Sequence, residues 1–129
     1  MRILIDTCIL LWAAAGEVPV WIIGYIEDER NTLLFSPVSI WEIAIKQGLG
    51  RDDFDIDPAS LYSELIFSGY EELPITGRHA LQVSYLPSIH KDPFDRLLIA
   101  QASYEGITFL TADRNLSRYP GPIIYVGSV

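Results

Sequence analysis

Two aspartates lie three residues apart at the entrance of an apolar run in HKDPFDRLLIAQA, residues 90–102. Asp92 is followed by proline, an order typical of a helix-capping residue and the first residue of that helix. Asp95 would then be the third helical residue, where a carboxylate complements the helix dipole. Capping accounts for each acid singly. An unpaired carboxylate beside a buried helix is nevertheless costly, so both acids are candidates for binding a cation.

Two more aspartates follow predicted strands. Asp6 ends the run RILI, residues 2–5, and Asp113 lies just beyond the run ITFL, residues 107–110. If these strands are adjacent and parallel, both acids lie at the same edge of the sheet, where ligands of such sheets usually bind. Either aspartate could also cap the segment that follows it.

Glu42 lies in the middle of a predicted helix. A spacing of 100° per residue places it within the arc of Val38, Trp41 and Ile45, so it is predicted to point where apolar residues point. The alternative is an ion pair with Lys46, four residues on, in the orientation that stabilises exposed helices. The sequence leaves both interpretations open.

Carboxylates gathered within a few ångströms would repel one another, raise their pKa values and destabilise the folded chain. A divalent cation resolves this conflict, and Mg²⁺ or Mn²⁺ favours oxygen ligands while keeping several waters. Such a cation would also attract phosphate, although the chain has nine Lys and Arg against seventeen Asp and Glu, a net charge of −8. The predicted chemistry is in-line hydrolysis of a phosphodiester bond.

Short β-like runs alternate with helical segments along the chain. The predicted helices span residues 7–15, 18–30, 37–48 or 37–50, 58–69, 76–86 and 93–106. The predicted strands span residues 2–5, 31–37, 71–75, 107–110 and 123–126. This alternation favours an α/β fold with a parallel sheet covered on both faces. The polar stretch RDDFDID, residues 51–57, is interpreted as a surface loop.

The bulk composition bounds the class of protein. A chain of 129 residues with 50% hydrophobic residues can bury one core, so we expect a single domain over residues 1–129. The first apolar run is interrupted by Asp6 and Thr7, unlike a signal peptide, and no run approaches the length of a membrane span. The one cysteine, Cys8, can form no internal disulfide, which is compatible with a cytoplasmic protein.

Four motifs together resemble those of the PIN-domain ribonucleases, especially the VapC-like toxins of bacterial type II toxin-antitoxin pairs. The four motifs, in chain order, are LIDTCILLW, SPVSIWEIAIKQGLG, HKDPFDRLLIAQA and FLTADRNL. Each motif is weak alone, but their order and spacing together are specific. The resemblance covers essentially the whole chain. It implies a three-layer α/β/α sandwich with a mainly parallel central sheet, and an endoribonuclease that depends on Mg²⁺ or Mn²⁺ and acts on RNA as a toxin.

Carried over residue by residue, the resemblance implies a set of metal-binding and catalytic acids: Asp6, Glu42, Asp95 and Asp113. Asp95 is preferred to Asp92 because the family's third acid immediately precedes a helical run of the RLLIAQA type. Asp92 then mainly caps the helix, and an auxiliary role for it at the site is left open.

Other polar residues near these motifs have ordinary explanations. Thr7 and Thr111 lie beside two of the acids and could orient a carboxylate or a water, or simply form caps and turns. Lys46 and Arg114 could contact RNA phosphate, but we favour an ion pair or a surface position for both. His90 is interpreted as a loop residue, because no second imidazole lies near it in the sequence.

The resemblance also implies two partners. One is a second copy of the chain in a homodimer, and the other is an antitoxin whose basic or aromatic segment covers the acidic cleft. Candidates for exposed contacts are Trp12, Trp21 and Trp41, although core packing is the favoured interpretation of Trp41. The acidic net charge fits a cationic partner, and no membrane association is expected.

Two other functions stay open on the sequence alone. A phosphohydrolase of the haloacid type would also place an aspartate at the end of the first strand. It normally has a second aspartate two residues later, and here that residue is Cys8. A non-catalytic PIN-like interaction module would use the acids only for binding a metal or a partner. Activity, rather than fold, distinguishes these alternatives.

Overall fold

Short parallel strands form the central sheet of the computed structural model, which describes residues 1–49 and 56–127. Within these residues the sheet has five strands: β1 (Arg2–Ile5), β2 (Thr32–Phe35), β3 (Glu71–Glu72), β4 (Thr108–Thr111) and β5 (Ile123–Tyr125). Their order is β3-β2-β1-β4-β5, and every neighbouring pair is parallel. The predicted parallel sheet is confirmed, and each predicted strand overlaps an observed one.

Six α-helices connect these strands in the described part of the chain: α1 (Thr7–Ala15), α2 (Val20–Ile26), α3 (Pro37–Gly48), α4 (Pro58–Phe67), α5 (Gly77–Gln82) and α6 (Pro93–Glu105). Two short 3₁₀ segments, Val83–Tyr85 and Arg114–Arg118, follow α5 and β4. Each predicted helical segment contains one of these helices. The largest difference is α2, which begins after Pro19 and ends before the acidic residues that we included in it.

The helix starts were predictable because local hydrogen bonds determine them. Four side chains accept a backbone N–H from the first turn of the helix that follows them: Ser36, Asp57, Thr76 and Asp92. Proline stands in the first turn of α3, α4 and α6, where its missing N–H leaves no hydrogen bond unmade. In the predicted loop at residues 51–57, residues 51–55 lie outside the described part of the chain.

Helices cover both faces of the sheet. Because side chains alternate along a strand, Leu4, Leu34 and Phe109 point to one face, where they share a core cluster with Leu98 of α6. On the other face, Ile5 belongs to a second cluster with residues of α1, α2 and α4. The expected three-layer α/β/α sandwich is confirmed.

β1 occupies the centre of the sheet, with β2 on one side and β4 on the other. Ile5 pairs in register with Leu110, and the backbone N–H of Asp6 donates to the carbonyl of Leu110 at 3.0 Å. The carboxyl ends of β1 and β4 therefore lie side by side, at the point where the strand order changes direction. Parallel sheets usually bind their ligands at such a point.

The helices are short. α1 has nine residues and α2 has seven. Among the described residues, no single helix is long and apolar enough to cross a membrane. α1 and α2 meet the length and composition test only when joined, and the chain bends by 98° between them.

Candidate active site

Asp6 lies at the turn between β1 and α1 and is only 4% exposed. Its Oδ1 accepts the backbone N–H of Thr7 at 2.7 Å, and its Oδ2 accepts the hydroxyl of Thr111 at 2.6 Å. The Thr111 oxygen in turn accepts the backbone N–H of Asp113 at 3.0 Å. One hydroxyl at the end of β4 thus ties together the two strand ends that carry predicted acids.

Glu42 is buried in α3, with 5% exposure. Its Oε2 accepts a hydrogen bond from the Lys46 ammonium at 2.8 Å. Its Oε1 is buried and has no hydrogen-bond partner among the described residues. Both interpretations of Glu42 therefore hold, since the side chain is buried and also forms the predicted ion pair.

Asp92 and Asp95 have different environments at the start of α6. Asp92 caps the helix, and its Oδ1 accepts the backbone N–H groups of Phe94 at 2.8 Å and of Asp95 at 3.2 Å. Asp95 instead directs its Oδ2 to Nε2 of His90, 3.1 Å away. The predicted capping role of Asp92 is confirmed, and the Asp95 carboxylate makes its contact outside the helix.

The imidazole of His90 joins two of the predicted acids. His90, Asp95 and Asp113 each offer one ligand atom, and these three atoms lie within 4.8 Å of one another. Among the described residues, no other group of three or more metal-ligating side chains is so close. The interpretation of His90 as an ordinary loop residue was incomplete: it lies in the loop before α6, but its ring faces the acids.

The buried acids shift one another's protonation. Burial raises the pKa of Asp6 to about 6, and the charges of Glu42 and Asp113 add to this rise, while hydrogen bonds to Asp6 oppose it. Burial likewise raises the pKa of Asp95 to about 7. The charges of Asp6, Asp92 and Glu42 contribute to the rise at Asp95. Asp6 and Asp95 therefore lie within electrostatic reach of each other, and each lies within reach of Glu42.

This donor set fits a divalent cation. A buried carboxylate oxygen without a partner, such as Oε1 of Glu42, is unfavourable unless something positively charged satisfies it. The surrounding carboxylates supply the oxygen ligands that Mg²⁺ and Mn²⁺ take in proteins. A cation at this position would also offset the repulsion that raises the pKa values of Asp6 and Asp95.

Cys8 lies beside the acids but does not extend them. Its thiol donates to Oδ2 of Asp6 at 3.8 Å, a long contact. Burial, followed by the charge of Asp6, raises the pKa of the Cys8 thiol to about 12, so the side chain is neutral. A phosphohydrolase of the haloacid type normally has a second acid at this position, and the neutral thiol of Cys8 cannot replace it.

The remaining polar candidates have structural contacts. The Thr7 hydroxyl shares a buried hydrogen bond of 2.7 Å with Ser39, which links α1 to α3. Arg114 lies over the ring of Tyr125, 5.9 Å from its centroid, as in a weak cation–π contact. Lys46 is held in the ion pair with Glu42. These contacts agree with the ordinary explanations that we favoured for Lys46 and Arg114.

The core-packing interpretation of Trp41 is wrong. Its side chain is 58% exposed, and it packs edge-to-face on Phe94, with ring centroids 5.1 Å apart. Ile45, on the same arc of α3, is also exposed. The buried face of α3 comprises Val38, Ser39, Glu42 and Ile43. Glu42 is therefore buried as predicted, but only Val38 of its three predicted neighbours shares that burial.

Three solved structures show the same fold. The VapBC2 complex from Rickettsia felis bound to a DNA fragment from their promoter matches with a TM-score of 0.75 and 17% identity, over 98% of this chain and 99% of that chain. DNA-bound VapBC from Salmonella typhimurium matches with a TM-score of 0.69 and 16% identity, over 97% and 98%. The PIN domain endonuclease Utp24 matches with a TM-score of 0.56 and 15% identity, over 98% and 86%.

The family assignment comes from the sequence. A comparison with curated proteins gives no match. The family model of the PIN domain, however, matches residues 3–122, which includes every strand of the sheet except the last and all four predicted acids. The chain therefore belongs to the PIN domain family.

Proposed function

We propose that this protein is a metal-dependent endoribonuclease that hydrolyses RNA phosphodiester bonds and acts as the toxin of a bacterial toxin-antitoxin pair. Membership of the PIN domain family supports a nuclease, and the neighbouring VapBC structures support the toxin class. The observation that carries the proposal is the buried, unpartnered Oε1 of Glu42. The Glu42 carboxylate lies within electrostatic reach of Asp6 and Asp95. The pKa values of both aspartates are raised, first by burial and then by neighbouring negative charges.

The acids of the chain are arranged to hold a cation and a phosphate. When bound, a divalent cation would supply Lewis-acid chemistry at the phosphate and lower the pKa of an attacking water. Asp6, Glu42, Asp95 and Asp113 would hold it. Thr111 fixes the carboxylate of Asp6, and Lys46 fixes that of Glu42. Such prior positioning is what makes charged groups effective in a water-poor site.

The net charge of −8 opposes RNA binding unless the cation reverses the field at the site. The proposal therefore predicts that both the affinity for RNA and the rate of cleavage depend on the cation. Mg²⁺ and Mn²⁺ are the proposed cations, because the acids supply hard oxygen ligands. We also propose that the protein acts in the cytoplasm, where RNA is available as a substrate.

The test is RNA cleavage by purified protein with Mg²⁺, Mn²⁺ or EDTA. We expect cleavage with either cation and none with EDTA. Asp95→Asn should lower the rate by at least about 100-fold, because it removes a charged ligand from the site. Asp92→Asn is the matched control, since asparagine caps a helix as well as aspartate, and it should change the rate only a few-fold.

Three results would contradict this proposal in different ways. Equal cleavage by the wild type and Asp95→Asn would show that the assigned site is wrong. Cation binding without cleavage of any RNA would favour the non-catalytic PIN-like interaction module. A larger loss in Asp92→Asn than in Asp95→Asn would show that the other aspartate is the reacting acid.

We also propose an antitoxin partner that covers the outer face of α3, beside the acids. Trp41 and Ile45 lie four residues apart on that face and are 58% and 41% exposed, and Leu49, which directly follows the helix, is 69% exposed. Such a stripe of large apolar side chains is typical of a protein interface. The neighbouring VapBC structures support an antitoxin as the partner. The acidic charge of the chain and this apolar stripe favour a basic or aromatic segment in that partner.

This partner can be tested with the product of the reading frame next to the gene. Co-expressed and purified, it should bind the wild-type chain and suppress RNA cleavage. Trp41→Ala should weaken that complex by about tenfold or more, as expected for a central aromatic contact. Phe67→Ala is the control, because Phe67 is 93% exposed at the end of α4. Equal weakening by both variants would contradict the assignment of this face.

The homodimer remains a proposal that rests on the resemblance to VapC-like toxins. Light scattering during size-exclusion chromatography of the purified chain should give twice the monomer mass of 14.5 kDa. A monomer at every concentration would contradict it without affecting the nuclease proposal.

A further inference from the structure

The imidazole of His90 faces the acidic site, although sequence reasoning gave it no role. Its Nε2 lies 3.1 Å from Oδ2 of Asp95, and both side chains are largely shielded, with exposures of 28% and 15%. One ring nitrogen of His90 and one carboxylate oxygen each from Asp95 and Asp113 lie within 4.8 Å of one another. A nitrogen and two oxygens therefore converge on one point at the rim of the sheet.

The loop that carries His90 is held firmly in place. The Tyr119 hydroxyl accepts the backbone N–H of His90 at 2.9 Å and donates to the His90 carbonyl at 3.2 Å. Arg96 donates to the same hydroxyl at 3.1 Å and to the carbonyl of Pro87 at 2.9 Å. The Tyr119 hydroxyl thus uses its one donor and both acceptor positions. A ring fixed in this way is positioned in advance for a ligand.

The separation of the two ring partners matches that of neighbouring metal ligands. Ligands that lie about 2.1 Å from an octahedral cation, at right angles to each other, are roughly 3 Å apart. Nε2 of His90 and Oδ2 of Asp95 are 3.1 Å apart. Two atoms that share a hydrogen bond in the metal-free chain can therefore bind one cation side by side.

We infer that His90 is a nitrogen ligand of the bound cation, together with Asp95 and Asp113. The inference rests on the proposed function only in requiring that a divalent cation binds at this site. An imidazole ligand changes which cation is preferred, because Mg²⁺ takes oxygen almost exclusively, whereas first-row transition cations accept nitrogen readily. The site therefore favours a cation such as Mn²⁺ over Mg²⁺.

The second histidine of the chain cannot take this role. His79 is buried, its Nδ1 accepts the backbone N–H of Thr76 at 3.0 Å, and its Nε2 pairs with Glu105 at 2.9 Å. Nδ1 of His79 is thus committed to the cap of α5, and Nε2 is committed to Glu105 of α6. Because the chain has only two histidines, any imidazole bound to the cation is assigned without ambiguity.

Pulsed electron paramagnetic resonance of the Mn²⁺-loaded protein tests the inference directly. The wild type should show the ¹⁴N coupling of a directly bound imidazole, and His90→Asn should lack it. Ser88→Ala, an exposed change in the same loop, should keep the coupling. Mn²⁺ bound through oxygen alone in the wild type would overturn the inference and leave the proposed function standing.

Calorimetric titration with Mn²⁺ and with Mg²⁺ gives an independent result. His90→Asn should weaken Mn²⁺ binding by about tenfold or more and change Mg²⁺ binding much less. Equal weakening of both would overturn the inference, since it would indicate general damage to the site. If the wild type binds neither cation, the inference and the proposed function fail together.

Discussion

The two ends of the sheet differ in the polarity of the residues that they bury. Eight polar residues are buried in the described part of the chain. Six of them lie at the carboxyl end of a strand or in the helix that follows it: Asp6, Thr7, Ser36, Ser39, Glu42 and Thr111. At the amino end, where β2 and β3 begin, α1, α2 and α4 surround a largely apolar cavity of about 310 Å³ lined by Leu33, Leu61, Leu65 and Tyr70.

This difference separates stability from function. Apolar packing at the amino end contributes stability roughly in proportion to the area buried. The carboxyl end instead buries like charges, which destabilises the metal-free chain and leaves it ready for a cation. A change at the carboxyl end should therefore lower activity without lowering the free energy of unfolding. A change at the amino end should lower the free energy of unfolding and leave activity nearly unchanged.

The largest expected effect is on activity at the carboxyl end. Asp6→Asn should lower RNA cleavage by roughly 100- to 1,000-fold, because the most buried charged ligand is lost. The free energy of unfolding of the metal-free chain should stay the same or rise at pH 8, since a repulsive charge has been removed. Single-turnover cleavage and urea unfolding measure the two quantities. An Asp6→Asn variant that is less stable than the wild type but cleaves RNA at the normal rate would contradict this separation of function from stability.

The converse change is at the amino end. Leu65→Ala should lower the free energy of unfolding by about 2–3 kcal/mol, because Leu65 is buried in the core cluster beside the cavity. Cleavage per folded molecule should stay close to that of the wild type below the unfolding transition. An activity loss comparable to that of Asp6→Asn would show that the two ends are not independent.

A smaller effect concerns pH. The folded-state pKa values of Asp6 and Asp95, about 6 and about 7, lie above the ordinary value of 3.8. Between the ordinary pKa of 3.8 and the raised values, the folded chain therefore binds more protons than the unfolded chain. Its free energy of unfolding falls as the pH rises from about 4 to about 7. We expect a loss of about 1–2 kcal/mol from pH 5 to pH 8 after solvent screening.

The control for this pH effect is the Asp6→Asn, Asp95→Asn double variant, in which the slope should flatten. Saturating Mn²⁺ should reduce the slope in the wild type, because the cation stabilises the ionised acids. Urea unfolding across the pH range measures all three proteins. The same slope in the wild type and the double variant would show that other groups cause it.

The smallest expected effect is at the link between the strand ends. Thr111→Val removes the hydroxyl that donates to Asp6 and accepts from the backbone of Asp113. Because that hydrogen bond lowers the pKa of Asp6, its loss should move the acidic limb of the pH–activity profile upward by a fraction of a unit. Activity should fall by about tenfold, a loss typical of one buried hydrogen bond. An unchanged profile would contradict the role of this link.

Much of the fold was predictable because short-range chemistry determines it. The caps Ser36 and Asp92 act on residues two or three positions away, so their motifs are readable in the sequence. The strand ends could place Asp6 and Asp113 at one edge because parallel strands align their carboxyl ends. The hydrogen bond that fixes the carboxylate of Asp6, however, comes from Thr111, 105 residues away.

The failures involve contacts that no local pattern contains. Trp41 lies on a helical arc with apolar neighbours, but whether that arc is covered depends on where other helices pack. His90 faces Asp95 because Tyr119, 29 residues later, holds its loop. The only available signal was a histidine two residues before the Asp92–Pro93 helix start, and that spacing alone does not indicate which way the ring points.

The central claim is that the acids at the carboxyl end of the sheet converge to bind a divalent cation. Anomalous diffraction from a crystal grown with Mn²⁺ tests it most directly. The account predicts a peak bounded by carboxylates of Asp6, Glu42, Asp95 and Asp113, with Oε1 of Glu42 turned toward it. A Mn²⁺ peak elsewhere on the molecule, with these acids bound only to protein and water, would contradict the account.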